Sequence, residues 1–253
     1  MPATTQTDDT KALKPLLEHD RNAIYIIGGS KGGVGKSLVT MALLDHLTQK
    51  KGSTDDVLLI ETDTSNPDVW KAYNQIVKSE LCDLDEANGW VHFVNLCEKN
   101  PAKTIVVNTA ARNNKGVASH GMTFSKSLPE LRRRLLTWWV INRQRDSLEL
   151  LSDYLEVLPG GTTHVVRNGF FGSESQFELY NTSDLRKQVE SAGGRSVVFP
   201  GLADRVADDL HSGRLAIITA LSDGPKKLPL GNRAELERWR EVSGKVFDGL
   251  LNA

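Results

Sequence analysis

Cysteine is almost missing from this chain: its 253 residues include only Cys82 and Cys97. Two thiols cannot build a disulfide framework, and their spacing is not the CxxC of a zinc or redox site. Both are expected to be buried free thiols. Long apolar runs are missing too, and none approaches the ~20 residues that would span a bilayer. Charge of one sign is not in excess either. There are 31 basic and 32 acidic residues, a formal net charge of −1, so contact with nucleic acid or an anionic membrane would need a local patch. The opening stretch, Met1 to Thr10, is polar and carries Asp8 and Asp9, which fits neither a secretory signal nor a transit peptide. The expected compartment is the cytoplasm, with no membrane partner.

What is present is a composition 39% hydrophobic and 25% charged, ordinary for a globular protein with a buried core. The length suits one large α/β domain. Short apolar, β-rich runs occur at 23–27, 57–60, 104–107, 135–141, 163–167 and 196–199. Between them lie segments of helical periodicity, such as Thr40, Leu43, Leu44 and Leu47, closed by Gly52. Helices are also expected over 67–77 and 90–97, and after Asp146 and Glu149, which bracket a helix start. Continuous apolar strands alternating with amphipathic helices predict an α/β fold, a mostly parallel sheet with helices on both faces. Residues 1–20 read as a flexible arm ahead of a single domain, 21–253. The run from Gly224 to Pro229 reads as a linker to a final helix, 234–251. Leu236, Trp239, Val242 (or Ser243), Val246 and Leu250 recur on one side of that helix. Its other face mixes acidic and basic residues, unlike a basic membrane-surface helix, so packing on the domain is expected.

The chemistry concentrates at Lys31-Gly32-Gly33-Val34-Gly35-Lys36-Ser37, directly after the first apolar strand and before a helix. Glycines there let the backbone approach phosphate oxygens and adopt positive φ, with successive N–H groups turned inward on the anion. The helix N-terminus adds a favourable dipole. In this P-loop reading Gly32, Gly33, Val34, Gly35, Lys36, Ser37 and Leu38 bind the nucleotide. Lys36 faces the β- and γ-phosphates and the Ser37 hydroxyl ligates Mg²⁺.

The doubled lysine, KGGxGK[ST], resembles the signature of the ParA/MinD superfamily of P-loop ATPases, although Ser30 stands where the strict Walker pattern has glycine. The resemblance runs from about Ala23 to Ile217. It implies ATP and Mg²⁺ as cofactors, and a homodimer when ATP is bound. Lys31 would then reach across to the partner's nucleotide, so Lys31, Lys36 and Asp63 form the implied catalytic set. Glu61-Thr62-Asp63 stands at the family's Asp-x-Asp element, which gives Asp63 the water-positioning role and a place near the metal. Asn108 departs from the family: the third strand should end there in the aspartate that holds Mg²⁺ through water. Asn168, Pro200 and Leu202 stand where the family reads the adenine.

Within the superfamily, neither cysteine lies in a glycine-rich cluster setting, the last tyrosine is Tyr180, and no basic membrane helix closes the chain. The ParA side remains, closest to plasmid accessory proteins of the StbB/TraL-like kind. The expected function is a slow, ATP-dependent dimerising ATPase in plasmid stability, partition or conjugative transfer, with a partner protein from that machinery. The alternative is a non-hydrolysing, nucleotide-dependent interaction module, in which Asn108 marks lost turnover. Arg132-Arg133-Arg134, grouped with Arg143 and Arg145, is the one dense basic candidate for non-specific DNA contact; a solvated helix face is the other reading of such a run.

Overall fold

Strand-length runs of Ile, Val and Leu can be apolar at every position only where both faces of a sheet are covered. A computed structural model, which describes residues 23–29, 32–111, 114–158 and 160–251, builds that arrangement. The strands are β1 Ala23–Gly29, β2 Val57–Glu61, β3 Lys78–Leu81, β4 Thr104–Asn108, β5 Arg134–Ile141, β6 Thr162–Asn168 and β7 Ser196–Phe199. They form one seven-stranded sheet in the order β3-β2-β4-β1-β5-β6-β7. Every pairing is parallel. Each residue of β1, β2 and β4 is buried.

The helices are α1 Lys36–Lys51, α2 Asp68–Tyr73, α3 Ala87–Lys99, α4 Asn114–Leu131, α5 Arg145–Val157, α6 Glu178–Asn181, α7 Asp184–Ser191, α8 Asp204–Ser212, α9 Ile217–Leu221 and α10 Leu230–Leu251. Alternate strand residues feed two separate cores. Tyr25 and Ile27 of β1 pack toward α1, α2, α8, α9 and α10, and Ile24 and Ile26 pack toward α3, α4, α5 and α7. Both cysteines are buried free thiols, each pushed up to about 12, chiefly by burial.

Three expectations need correction. A seventh strand, β3, was not expected: its sequence Lys-Ser-Glu-Leu lies at the sheet edge, partly exposed, so it carries no apolar run. Helix α4 has no place in the sequence reading either, because Gly116, Gly121 and Pro129 interrupt its pattern. The helix expected over 67–77 stops at Tyr73. α10 starts at Leu230 and buries Leu236, Trp239, Ser243, Phe247 and Leu250, while Val242 is exposed. Phe247 stacks on Trp138 of β5 with centroids 4.9 Å apart. Arg240 Nε donates to the buried Asp45 of α1 at 2.6 Å. Among the described residues, no helix is long and apolar enough to cross a membrane.

Candidate functional site

Parallel strands that all point one way gather their C-terminal ends on one edge, and the loops there are the place for a ligand in such sheets. β1, β2 and β4 end side by side, with Ile27 opposite Asn108 and Glu61 opposite Asn108 in register. Hydrogen bonds tie the three ends together. Thr62 N donates to Asn108 O at 3.0 Å, Thr109 N to Ile27 O at 3.2 Å, and Ala110 N to Thr62 Oγ1 at 2.9 Å.

After β1 the backbone turns sharply into α1. Gly33 has φ 81° and Gly35 φ 101°, the left-handed region that glycine enters without steric cost. A Cβ at Gly35 would also meet Asn168 Nδ2 at 2.3 Å. Gly35 is the N-cap of α1 and has no side chain to cap the helix, so the first-turn N–H groups need an acceptor from elsewhere. The first turn holds no acidic residue. Lys36, 7% exposed, lies within this turn. Burial lowers its pKa to about 8, against the opposing pull of Asp63 and then Glu61.

A cavity of about 420 Å³ lies between α1 and α10, away from this edge. The one that opens at the glycine loop is larger, about 560 Å³. Gly32, Gly33, Gly35, Lys36, Ser37 and Leu38 line it from the loop side, joined by Asp63 and Asn108 from the ends of β2 and β4. Eight of the sequence-predicted residues therefore share one wall. Val34 is buried beneath the loop. Lys31 lies outside the described residues, as does the 1–20 arm.

The three adenine-side positions are arranged differently. Asn168 is buried beside the loop and does not line the cavity: its Nδ2 donates to Val34 O at 2.9 Å and its Oδ1 accepts from Phe170 N at 3.0 Å. Pro200 lends its carbonyl to Trp239 Nε1 of α10 at 2.8 Å. Leu202 is buried in the α10-side core. Asn168 thus braces the loop, and neither Pro200 nor Leu202 borders the cavity.

Behind the cavity wall lies a polar group that the sequence reading treated only in part. Glu61 is fully buried, and its pKa is pushed up to about 7, mainly by burial. It accepts from Asp63 N at 3.0 Å, and Asn108 Nδ2 lies 3.0 Å from both of its oxygens. Asn108 Oδ1 accepts from Thr40 Oγ1 at 2.8 Å. Thr40 carried a sequence signal, since it lies one helical turn beyond Lys36 on α1. The far wall carried none: Asn66, Asp68 and Val69 come from the start of α2, and His211 and Arg214 from the end of α8, some 140 residues on in the chain. His211 Nδ1 approaches Asp68 Oδ2 at 3.8 Å across the opening.

The oxygen donors present suit a small hard cation. Ser37 Oγ and the Asp63 carboxylate are of the kind Mg²⁺ takes, directly or through water, with phosphate and water completing the set, and the Asn108 amide oxygen can accept from a metal-bound water. Among the described residues no three His, Cys, Asp or Glu side chains converge. An all-protein metal cage is thus lacking there, and a metal would need such co-ligands.

The basic cluster does not survive as one surface. Arg133 is 9% exposed, and its Nη2 donates to the carbonyls of Asn100 at 2.5 Å and Lys103 at 2.9 Å. Arg132, with φ 52°, makes the turn before β5. Arg143 and Arg145 follow the opposite end of that strand, about 25 Å away at 3.3 Å per residue. The five arginines form no common patch for DNA.

No family model matches the chain. Protein MobD of Acidithiobacillus ferrooxidans is 59% identical over 230 residues, which cover 91% of this chain and 98% of that protein. Among solved structures, a nucleotide-binding protein in complex with ADP from Archaeoglobus fulgidus overlaps 81% of this chain and 92% of its own. Its TM-score is 0.46 and its identity 13%, a loose likeness.

Proposed function

This chain belongs to the MobD family, and from that premise and the geometry of its glycine loop we propose that it binds ATP with Mg²⁺ and hydrolyses it slowly. The observation that carries the reading is a buried lysine, Lys36, at an uncapped helix N-terminus behind two left-handed glycines, all on one cavity. A buried amine and a helix start that no side chain caps together call for a polyanion. A cavity of about 560 Å³ lies within the range of small-molecule and cofactor sites.

In this reading Lys36 neutralises the β- and γ-phosphates and the loop N–H groups hold their oxygens. Ser37 and Asp63 face the cation, whose chemistry is to neutralise charge on the phosphates and stabilise the leaving oxygen. Asp63 orients the attacking water. Asn66 N donates to Asp63 Oδ1 at 2.9 Å, which holds the carboxylate at the mouth of the loop. The nucleotide state would be read out as a homodimer, with Lys31 acting across it, in plasmid mobilisation or partition. The transfer branch of that reading accords with membership of the MobD family.

Calorimetry with ATP and Mg²⁺ tests the binding step. Lys36→Ala should abolish the signal, and equal affinities for variant and wild type would end the proposal. Asp63→Ala should stop phosphate release while leaving ATP affinity measured without Mg²⁺ within about threefold, because the group it removes serves the water and the cation and not the bare nucleotide. The second reading, a non-hydrolysing module, is favoured by one feature: the end of β4 supplies the amide Asn108 where a carboxylate would strengthen metal binding. Absence of phosphate release from a wild-type protein that binds ATP would decide for it.

A further inference from the structure

A carboxamide can present either its oxygen or its NH₂ to a ligand, because the two ends are almost the same shape. At Asn108 the neighbours decide which. The hydroxyl of Thr40 lies 2.8 Å from one end of the amide, and 2.9 Å from the carbonyl of Lys36. A hydroxyl both donates and accepts, so Thr40 tolerates either orientation. Glu61 has both oxygens 3.0 Å from a single atom at the other end of the Asn108 amide, and one of those oxygens already accepts from Asp63 N, a geometry that suits an NH₂ shared between two acceptors. Glu61 in turn is fixed by the Asp63 N–H and by its full burial. Asn108 lies on the cavity wall and Glu61 does not.

We propose that Glu61 is a positioning residue for Asn108: it holds the carboxamide with its oxygen toward Thr40 of α1, one turn beyond Lys36, so that β4 ends in an acceptor on the metal side of the site. Compared with a site whose β4 ends in aspartate, this chain has its carboxyl group one strand over and one layer back. Glu61 and Asn108 are register partners on β2 and β4, so the exchange leaves the backbone unaltered. The inference rests on the nucleotide-binding reading, and it changes what a single substitution should do. Asn108→Asp alone would set two carboxylates against each other at about the present 3.0 Å contact, where like charges cannot both ionise without cost. Glu61→Gln added to it would return an NH₂ group between them, with the carboxylate now in front.

The test is ADP affinity by calorimetry with and without Mg²⁺, together with melting temperature, for wild type, Glu61→Leu, Asn108→Asp and the double variant Glu61→Gln/Asn108→Asp. Glu61→Leu should reduce the gain in affinity that Mg²⁺ brings by about 10- to 100-fold, the usual size for a group that orients a metal-side residue. Its metal-free ADP affinity should stay near wild type. Asn108→Asp should melt below wild type, and the double variant should recover both the melting temperature and the Mg²⁺ gain. If Glu61→Leu melts lower but keeps the full Mg²⁺ gain, Glu61 is merely structural and the proposal is overturned. If Glu61→Leu does not fold, the other two variants decide. A double variant no better than Asn108→Asp, or an Asn108→Asp protein as stable as wild type, overturns it. Wild-type protein that binds no ADP in either condition would instead remove the nucleotide reading itself, and this inference with it.

Discussion

Gly35 shows how much of the site depends on the absence of one carbon atom. Its φ of 101° is open to glycine and strained for any L-residue, a cost of about 1–2 kcal/mol. The Asn168 amide occupies the place a Cβ would need, and that amide also holds Val34 O. Gly35→Ala should therefore push Asn168 off the loop, lower the melting temperature and weaken ATP binding by more than tenfold. Fluorescence melting and calorimetry on the same sample would check both effects, and an unchanged affinity would show that the loop tolerates a reset path. Trp139 imposes a similar limit at Gly28, where a Cβ would lie 2.7 Å from the ring. The glycines were legible in the sequence as a motif. Asn168's grip on the loop was not, because Asn168 and Val34 are 134 positions apart.

At the scale of elements, β5 separates two kinds of arginine that look alike in sequence. Arg133 closes the turn between α3 and β4 by donating to the carbonyls of Asn100 and Lys103, and its removal would take a charged donor from both and open a gap in a buried site. Arg134 is exposed at the start of the strand. Arg133→Ala should destabilise the fold by about 2 kcal/mol, a drop in melting temperature on the order of 5 °C for a chain of this length. Arg134→Ala should shift it by less than about 1–2 °C. Equal melting temperatures for the two variants would return Arg133 to the surface. A charge run is read from sequence as a unit because neighbours in the chain are neighbours in the string. Alternation along a strand and the turn at Arg132 assign them to different environments. The same reasoning covers β3: an edge strand of Lys, Ser, Glu and Leu pairs through its backbone alone, so its side chains give no periodic signal.

For the whole molecule, the open question is association. The glycine loop and its cavity lie on the edge formed by the C-terminal ends of the strands, and α10 is anchored away from it, over α1 and β7. That arrangement leaves the loop edge for a second copy, in line with the ATP-dependent homodimer proposed above. ATP held with Asp63→Ala protein, which should not turn over, ought to double the mass seen by light scattering at tens of micromolar protein, a rough mid-range for a modest interface. ADP should not. Lys31→Ala should lose the dimer and keep monomer ATP affinity. A mass that stays monomeric with ATP at that concentration counts against the dimer and leaves the nucleotide site standing.

By itself the sequence determined the alternation of strands and helices, and hence the parallel sheet, because burial on both faces forces apolar residues at every strand position. It also determined the glycine loop, because the positive φ of Gly33 and Gly35 is a local demand met by adjacent residues. Only the tertiary structure decided which polar groups meet. Glu61, Asn108 and Thr40 come from β2, β4 and α1, and their hydrogen bonds follow from sheet order and register, which strand patterns do not encode. The far wall of the cavity at α2 and α8 has the same origin. So does the burial of Arg133 and Leu202: the sheet, not the chain, sets their neighbours.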